Sequence, residues 1–250
     1  MKDLKEKKAI VVGGIKEFQL AIAKGLLEYG AKVCILDYSS NLMSVVNELK
    51  KKGYQVEGLA VNLSDKKELE INFFKALALL DGEVDILINN IRYEKYMPSL
   101  DISIKDFQRV LEGNITSVFQ LSQLAGSEMS KKNGGKIINV SSVFAMQGGY
   151  NDAAYSSSQG AVSQLTKSLS NEWAGKGINV NAIALGYFKV ESNQTNLSNE
   201  SEYKSTVSRI PIHRLGDPDE ISGVIQFLSS KKSNYISGSV ILVDGGFTSR

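Results

Sequence analysis

A doubly wound α/β fold, one parallel sheet with helices on both faces, is what three features of this 250-residue sequence predict. Short β-branched runs alternate with longer stretches of helical spacing. Several of those runs are apolar throughout, as buried parallel strands are when helices cover both sheet faces. Glycines stand just past the ends of the helical stretches, where a left-handed residue closes the last turn. Strand–helix alternation of this kind argues for one doubly wound sheet rather than separate helical and sheet layers.

Taken in order, residues 9–12 read as the first strand, followed by a glycine turn at Gly13-Gly14. A helix over 20–29 closes at Gly30, and the second strand, 32–37, ends in Asp37. A helix over 42–52 closes at Gly53 and leads to a strand at 55–60. Then come a helix at 66–79, a strand at 84–88 and one long helix at 104–130. The strand at 136–140 precedes a helix at 153–174, with Gly175 just past its end, and a strand at 179–184. A helix at 219–228 and a strand at 240–243 complete the pattern. The segment 191–208 is rich in Ser, Asn and Glu, which suits either a lid over a cleft or a polar surface excursion. With no internal repeat and no proline-rich linker, residues 1–250 read as a single domain.

Composition narrows the function classes. The formal net charge is +2, and no basic stripe with interleaved aromatics suggests nucleic-acid binding. The absence of a signal peptide and of an apolar run of roughly 18 residues argues against a membrane protein and for a cytoplasmic one. The single cysteine, Cys34, lies in an apolar run and reads as a small core residue, and one His213 offers no metal cluster and no Ser-His-Asp triad.

The stretch most informative for chemistry is Tyr155-Ser-Ser-Ser-Gln159. Residues four apart share a helix face, so a lysine at 159 would place a cation near the Tyr155 phenol and lower its pKa by about 1–3 units. Glutamine carries no charge. The order Asn114, Ser142, Tyr155, with Asn89-Asn90 upstream and Asn179-Val-Asn-Ala-Ile-Ala downstream, resembles the short-chain dehydrogenase/reductase family over essentially the whole chain. Gln147-Gly-Gly149, Asn171-Glu-Trp-Ala174 and Arg209-Ile-Pro211 are similar to its sugar-acid branch, the 2-deoxygluconate 3-dehydrogenases and gluconate 5-dehydrogenases. The resemblance implies a Rossmann-type fold, Ser142 orienting a substrate oxygen, Tyr155 as acid/base and Asn114 holding a relay water. It also implies a homo-dimer or homo-tetramer and a small polar or sugar-acid ligand. Read without the family, Ser142 is a residue of a post-strand turn, Asn114 a helix-breaking polar residue and Tyr155 half-buried packing; all three standing in the family's register favours a retained site geometry.

Departures from the family pattern gather on the cofactor side. Its Gly-x-x-x-Gly-x-Gly turn reads Gly13-Gly-Ile-Lys-Glu17-Phe-Gln19, and its Asn-Asn-Ala-Gly stretch reads Asn89-Asn90-Ile91-Arg92. The acidic residue associated with adenine is Asn62, the Pro-Gly pair is Leu185-Gly186, and the threonine four residues later is Val190. Gly13, Asn62 and Asn89 remain as possible NAD contacts. Asp37 stands either as a ribose ligand, favouring NAD over NADP, or as a plain turn acid. A phenol near its reference pKa of about 10 is roughly one part in a thousand ionised at neutral pH, and losing a tuned acid/base costs about 10²–10⁴-fold in rate. The expectation is therefore a divergent relative with lost or much-reduced NAD(P)-dependent oxidoreduction, serving as a ligand-binding or non-catalytic subunit. The competing expectation is an active NAD-dependent oxidoreductase of sugar-acid or related hydroxy/keto substrates, with Gln159 holding the ribose.

Overall fold

Seven parallel strands form one sheet in the order β3-β2-β1-β4-β5-β6-β7 in the computed structural model, which describes residues 3–15, 18–132, 134–189 and 199–249. The strands are β1 (Lys8–Val12), β2 (Lys32–Asp37), β3 (Val56–Ala60), β4 (Ile86–Asn89), β5 (Gly135–Ser142), β6 (Ile178–Leu185) and β7 (Val240–Val243). The helices are α1 (Phe18–Glu28), α2 (Leu42–Lys51), α3 (Lys66–Leu79), α4 (Ile104–Leu111), α5 (Ser117–Ser130), α6 (Ala153–Trp173), α7 (Glu200–Ser208) and α8 (Asp219–Ser229). The α/β class and the parallel, two-faced sheet are as the sequence predicts.

Strand pleating explains why the runs are apolar throughout. Neighbouring residues of a strand face opposite sides. Ala9, Val11, Val33, Ile35, Ile86 and Ile88 pack with α1, α2 and α8, while Ile10, Val12, Cys34, Leu36 and Leu87 pack with α3, α5 and α6. Cys34 is fully buried, and burial pushes its thiol up to about 12, as an inert core residue.

Two local expectations need correction, and a third lies partly outside the described residues. The helix read across 104–130 is interrupted by a π-helical turn, Glu112–Thr116, which separates α4 from α5. The left-handed residue after α6 is Gly177 (φ 75°), because a 3-10 turn at Ala174–Lys176 carries the chain past Gly175; Gly30 and Gly53 are left-handed as expected. Of the polar segment 191–208, residues 191–198 lie outside the described residues, whereas the rest forms the exposed helix α7, capped by Asn199 Oδ1 accepting from Ser201 N at 3.0 Å.

The chain winds outward from β1 to β3, then resumes at β4 on the other side of β1. Connections therefore diverge between β1 and β4, and ligands of open α/β sheets bind at such a switch, beyond the strands' carboxyl ends. No helix among the described residues is long and apolar enough to cross a membrane, and no cluster of three or more metal-ligating side chains occurs among them.

Candidate active site

Two cavities open at this switch. The smaller, about 440 Å³, lies over the end of β5 and is lined by Ser142, Tyr155, Gln147, Tyr187 and Arg209. The larger, about 830 Å³, lies over β1–β3 and is lined by Gly13, Gln19, Asp37, Asn62 and Arg109. Phe18, Asn90, Ile91 and Arg92 line both.

Ser142 ends β5 and caps the following 3-10 turn, its Oγ accepting from Phe144 N at 3.3 Å. Tyr155 lies in the first turn of α6, 4% exposed, packed with Val110 and Ala154 against Phe107, Tyr93 and Phe144. Ser142 and Tyr155 line the same cavity. Burial pushes the Tyr155 phenol up to about 12; the Arg92 guanidinium and a Ser142 hydrogen bond pull it down, and Glu94 and Asp152 push it up. One turn along the helix, Gln159 is 2% exposed, and its side-chain oxygen has no hydrogen-bond partner among the described residues.

Asn114 is fully buried in the π-turn. Its Oδ1 accepts from Tyr93 N at 2.8 Å, and its Nδ2 donates to Tyr93 O and Ser158 Oγ, both at 2.9 Å. Both amide hydrogens are thus committed to tying the loop after β4 onto α6. Asn89 also departs from its expected place. Its amide donates to Ser122 Oγ (3.0 Å) and Asn139 Oδ1 (2.9 Å) beneath the cleft, in a chain continued by Asn139 Nδ2 donating to Thr166 Oγ1. Its neighbour Asn90 reaches the cavities instead, donating to Gly13 O at 2.7 Å. The alternation of β4 makes this split readable in principle, since adjacent residues of a strand face opposite ways.

Asp37 lines the larger cavity, 1% exposed, with Oδ2 accepting from Gly14 N (2.9 Å) and Oδ1 from Ser39 N (2.8 Å). The second bond is that of a turn acid; the first ties β2 to the turn after β1. Gly13 is left-handed at φ 73°, and an added Cβ would lie 2.3 Å from Asn90 O, so the protein's own backbone demands this glycine. Asn62 lines the same cavity while its Oδ1 accepts from Ser64 N at 3.1 Å. Glu17, Lys16 and Val190 lie outside the described residues, whereas Gln19 does line the larger cavity.

The sequence reading did not single out the charges beside Tyr155. Arg92 places its guanidinium carbon 5.8 Å from the Tyr155 ring centroid, and its Nε donates to Glu94 Oε1. Asp152, 1% exposed at the start of α6, has one carboxylate oxygen with no hydrogen-bond partner among the described residues. Burial, reinforced by Glu94, pushes it up to about 6. Nothing local in the sequence marks it, because an Asp before a helix is ordinarily a solvated cap.

With this geometry in hand, known proteins give the context. The family model described as enoyl-(acyl carrier protein) reductase matches residues 19–248. A 2-dehydro-3-deoxy-D-gluconate 5-dehydrogenase of Pseudoalteromonas atlantica is 36% identical over 249 residues, covering 99% of this chain and 98% of the relative. A tropinone reductase homolog of Arabidopsis thaliana is 33% identical, covering 97% and 92%. Among solved structures, a gluconate 5-dehydrogenase from Burkholderia cenocepacia, in complex with NADP and tartrate, superposes with a TM-score of 0.94 at 28% identity, covering 100% of this chain and 98% of that one.

Proposed function

We propose, from the premise that this chain belongs to the short-chain dehydrogenase/reductase family, that it is an NAD(P)-linked oxidoreductase. It acts on a secondary alcohol, or the matching ketone, of a small sugar-acid-like substrate. The observation that carries the reading is the meeting of the two cavities: the smaller holds Ser142 and Tyr155, and the larger shares four lining residues with it. Substrate would occupy the first and dinucleotide the second. Arg92 and Arg209 on the smaller cavity supply cations suited to a carboxylate. The names of the relatives support the same substrate class.

The larger cavity fits a dinucleotide at the end formed by Gly13, Asp37 and Asn62, where backbone and carboxylate line open space. When bound, the nicotinamide supplies the hydride donor or acceptor. The chain's own part is the proton. Ser142 orients the substrate oxygen, and the Tyr155 hydroxyl gives it a proton or takes one from it. Held near 12, Tyr155 is protonated throughout the neutral range, which suits donation to a developing alkoxide better than abstraction. Carbonyl reduction at neutral pH is accordingly the faster direction, and alcohol oxidation speeds up as pH rises.

A non-catalytic relative is the second reading. Gln19 and Arg92, which line the larger cavity where the family carries glycines, favour it. The sequence alone ranks that reading first; the Ser142–Tyr155 pair and the full-length relatives support the active one over it. Calorimetric titration with NAD⁺, NADH, NADP⁺ and NADPH decides, followed by turnover on a panel of hydroxy and keto sugar acids. Micromolar binding with turnover that Tyr155→Phe abolishes is the expected result; no binding of any dinucleotide would sink the proposal. We further infer a homo-oligomer, because the edge strand β7 carries Leu242 44% exposed.

A further inference from the structure

We propose that Arg92, reaching from the loop after β4, supplies the positive charge beside Tyr155 that α6 does not carry, so that the tyrosine keeps a cationic partner despite Gln159. The inference deepens the oxidoreductase reading above and rests on it for its catalytic meaning.

Geometry carries it. The Arg92 guanidinium carbon stands 5.8 Å from the Tyr155 ring centroid, at the junction of the two cavities. The loop holding it is fixed at both ends. Asn90 is bonded to Gly13 O before it, and Tyr93 is bonded through both backbone groups to Asn114 after it. Glu94 then takes the guanidinium Nε, and no other polar partner of Arg92 occurs among the described residues. The arginine is thus held through its Nε and lines both cavities, its side chain 35% exposed.

The groups facing the phenol balance in sign. Arg92 acts against Glu94 from the same loop and Asp152 from the start of α6, with Ser142 from the end of β5 donating a hydrogen bond to the phenol oxygen and the Tyr96 hydroxyl nearby. Two carboxylates around a phenol would make proton loss still harder. Arg92 is the cation that offsets them, and burial strengthens its effect, since charges interact more strongly at low effective dielectric. A lysine one turn along α6 would act from the helix side; Arg92 acts across the cavity. The role is that of a positioning residue acting through Tyr155.

The test is a site-resolved titration. A fluorinated tyrosine in place of Tyr155, whose phenol is more acidic than tyrosine, brings the ionisation into a range where the protein stays folded, and ¹⁹F NMR follows that residue alone. In an Arg92→Gln background its pKa is expected to rise by at least about one unit, the lower end of what a neighbouring opposite charge produces. In Arg92→Lys most of that rise should disappear. A rise of less than a unit in Arg92→Gln overturns the proposal. So does an equal rise in both variants, which would mean lost packing rather than lost charge. If the unsubstituted protein turns over no substrate with any nicotinamide dinucleotide, the oxidoreductase reading falls while the titration still decides the role of Arg92. If it does turn over, Arg92→Gln should lower the rate of alcohol oxidation, measured below the phenol's pKa, about tenfold for each unit by which that pKa rises. The same variant should move the pH–rate profile to higher pH and leave the KM for a neutral hydroxy-ketone unchanged.

Discussion

Asp152 and Tyr155 face the same problem, an ionisable group with little access to water, and they resolve it with opposite consequences for pH. Burial raises Asp152 from 3.8 to about 6. The folded protein therefore binds a proton between about pH 4 and 6 that the unfolded chain has released. Stability that Asp152 contributes is fully present below pH 4 and is lost as pH rises through 6. Asp152→Asn should raise the thermal midpoint at pH 7 and change it little at pH 4. Equal effects at the two pH values would contradict this. For Tyr155 the corresponding loss begins only above pH 10, so Tyr155→Phe should leave neutral-pH stability within about 1 kcal/mol while removing turnover, as thermal melts beside rate assays would show. The sequence showed Tyr155, Ser142 and the missing lysine, because motif spacing survives in one dimension. It hid Arg92 and Asp152 as neighbours of the phenol, because a loop, a strand end and a helix start far apart in the chain meet only after folding.

Among the elements, strands were the most legible, since runs such as Ile10–Val12 and Val33–Leu36 have no polar face to confuse their reading. Helix interruptions were not. The π-turn at Glu112–Thr116 adds one residue to a turn, and although Gly113 and Asn114 stand in it, the apolar spacing on either side reads as one helix. What it accomplishes is the inward placement of Asn114, with three hydrogen bonds joining the β4 loop to α6. Asn114→Ala should cost about 1–3 kcal/mol and loosen Arg92 with its loop, measurable as lower stability together with a raised Tyr155 pKa. Helix α7 escaped notice because none of its residues is buried, leaving no apolar stripe to find. Away from the cavities, α5 meets α6 where Gly126 faces Trp173, and an added Cβ would lie 2.9 Å from the indole ring. Gly126→Val is expected to destabilise by about 1–3 kcal/mol through overpacking, with dinucleotide affinity unaltered in the folded fraction.

For the whole molecule, both faces of the sheet are covered, and its edge strands are β3 and β7. The exposed Leu242 on β7 predicts self-association, and Leu242→Lys should shift the light-scattering mass toward the monomer; a monomeric unsubstituted protein would refute the assignment. Ligand linkage gives a second global readout. A dinucleotide at a hundred times its dissociation constant should stabilise the fold by about 2.7 kcal/mol, visible as a raised melting midpoint. The sheet order that made the fold readable also has a consequence for inheritance. The crevice between β1 and β4 follows from the direction in which the chain winds, not from any side chain in it. Substitutions at 17, 19, 92 or 159 can therefore retune or exchange what the crevice holds, but they cannot remove the crevice. A lineage with this topology keeps a vacancy to fill, and each loss of an old contact leaves room for a new one.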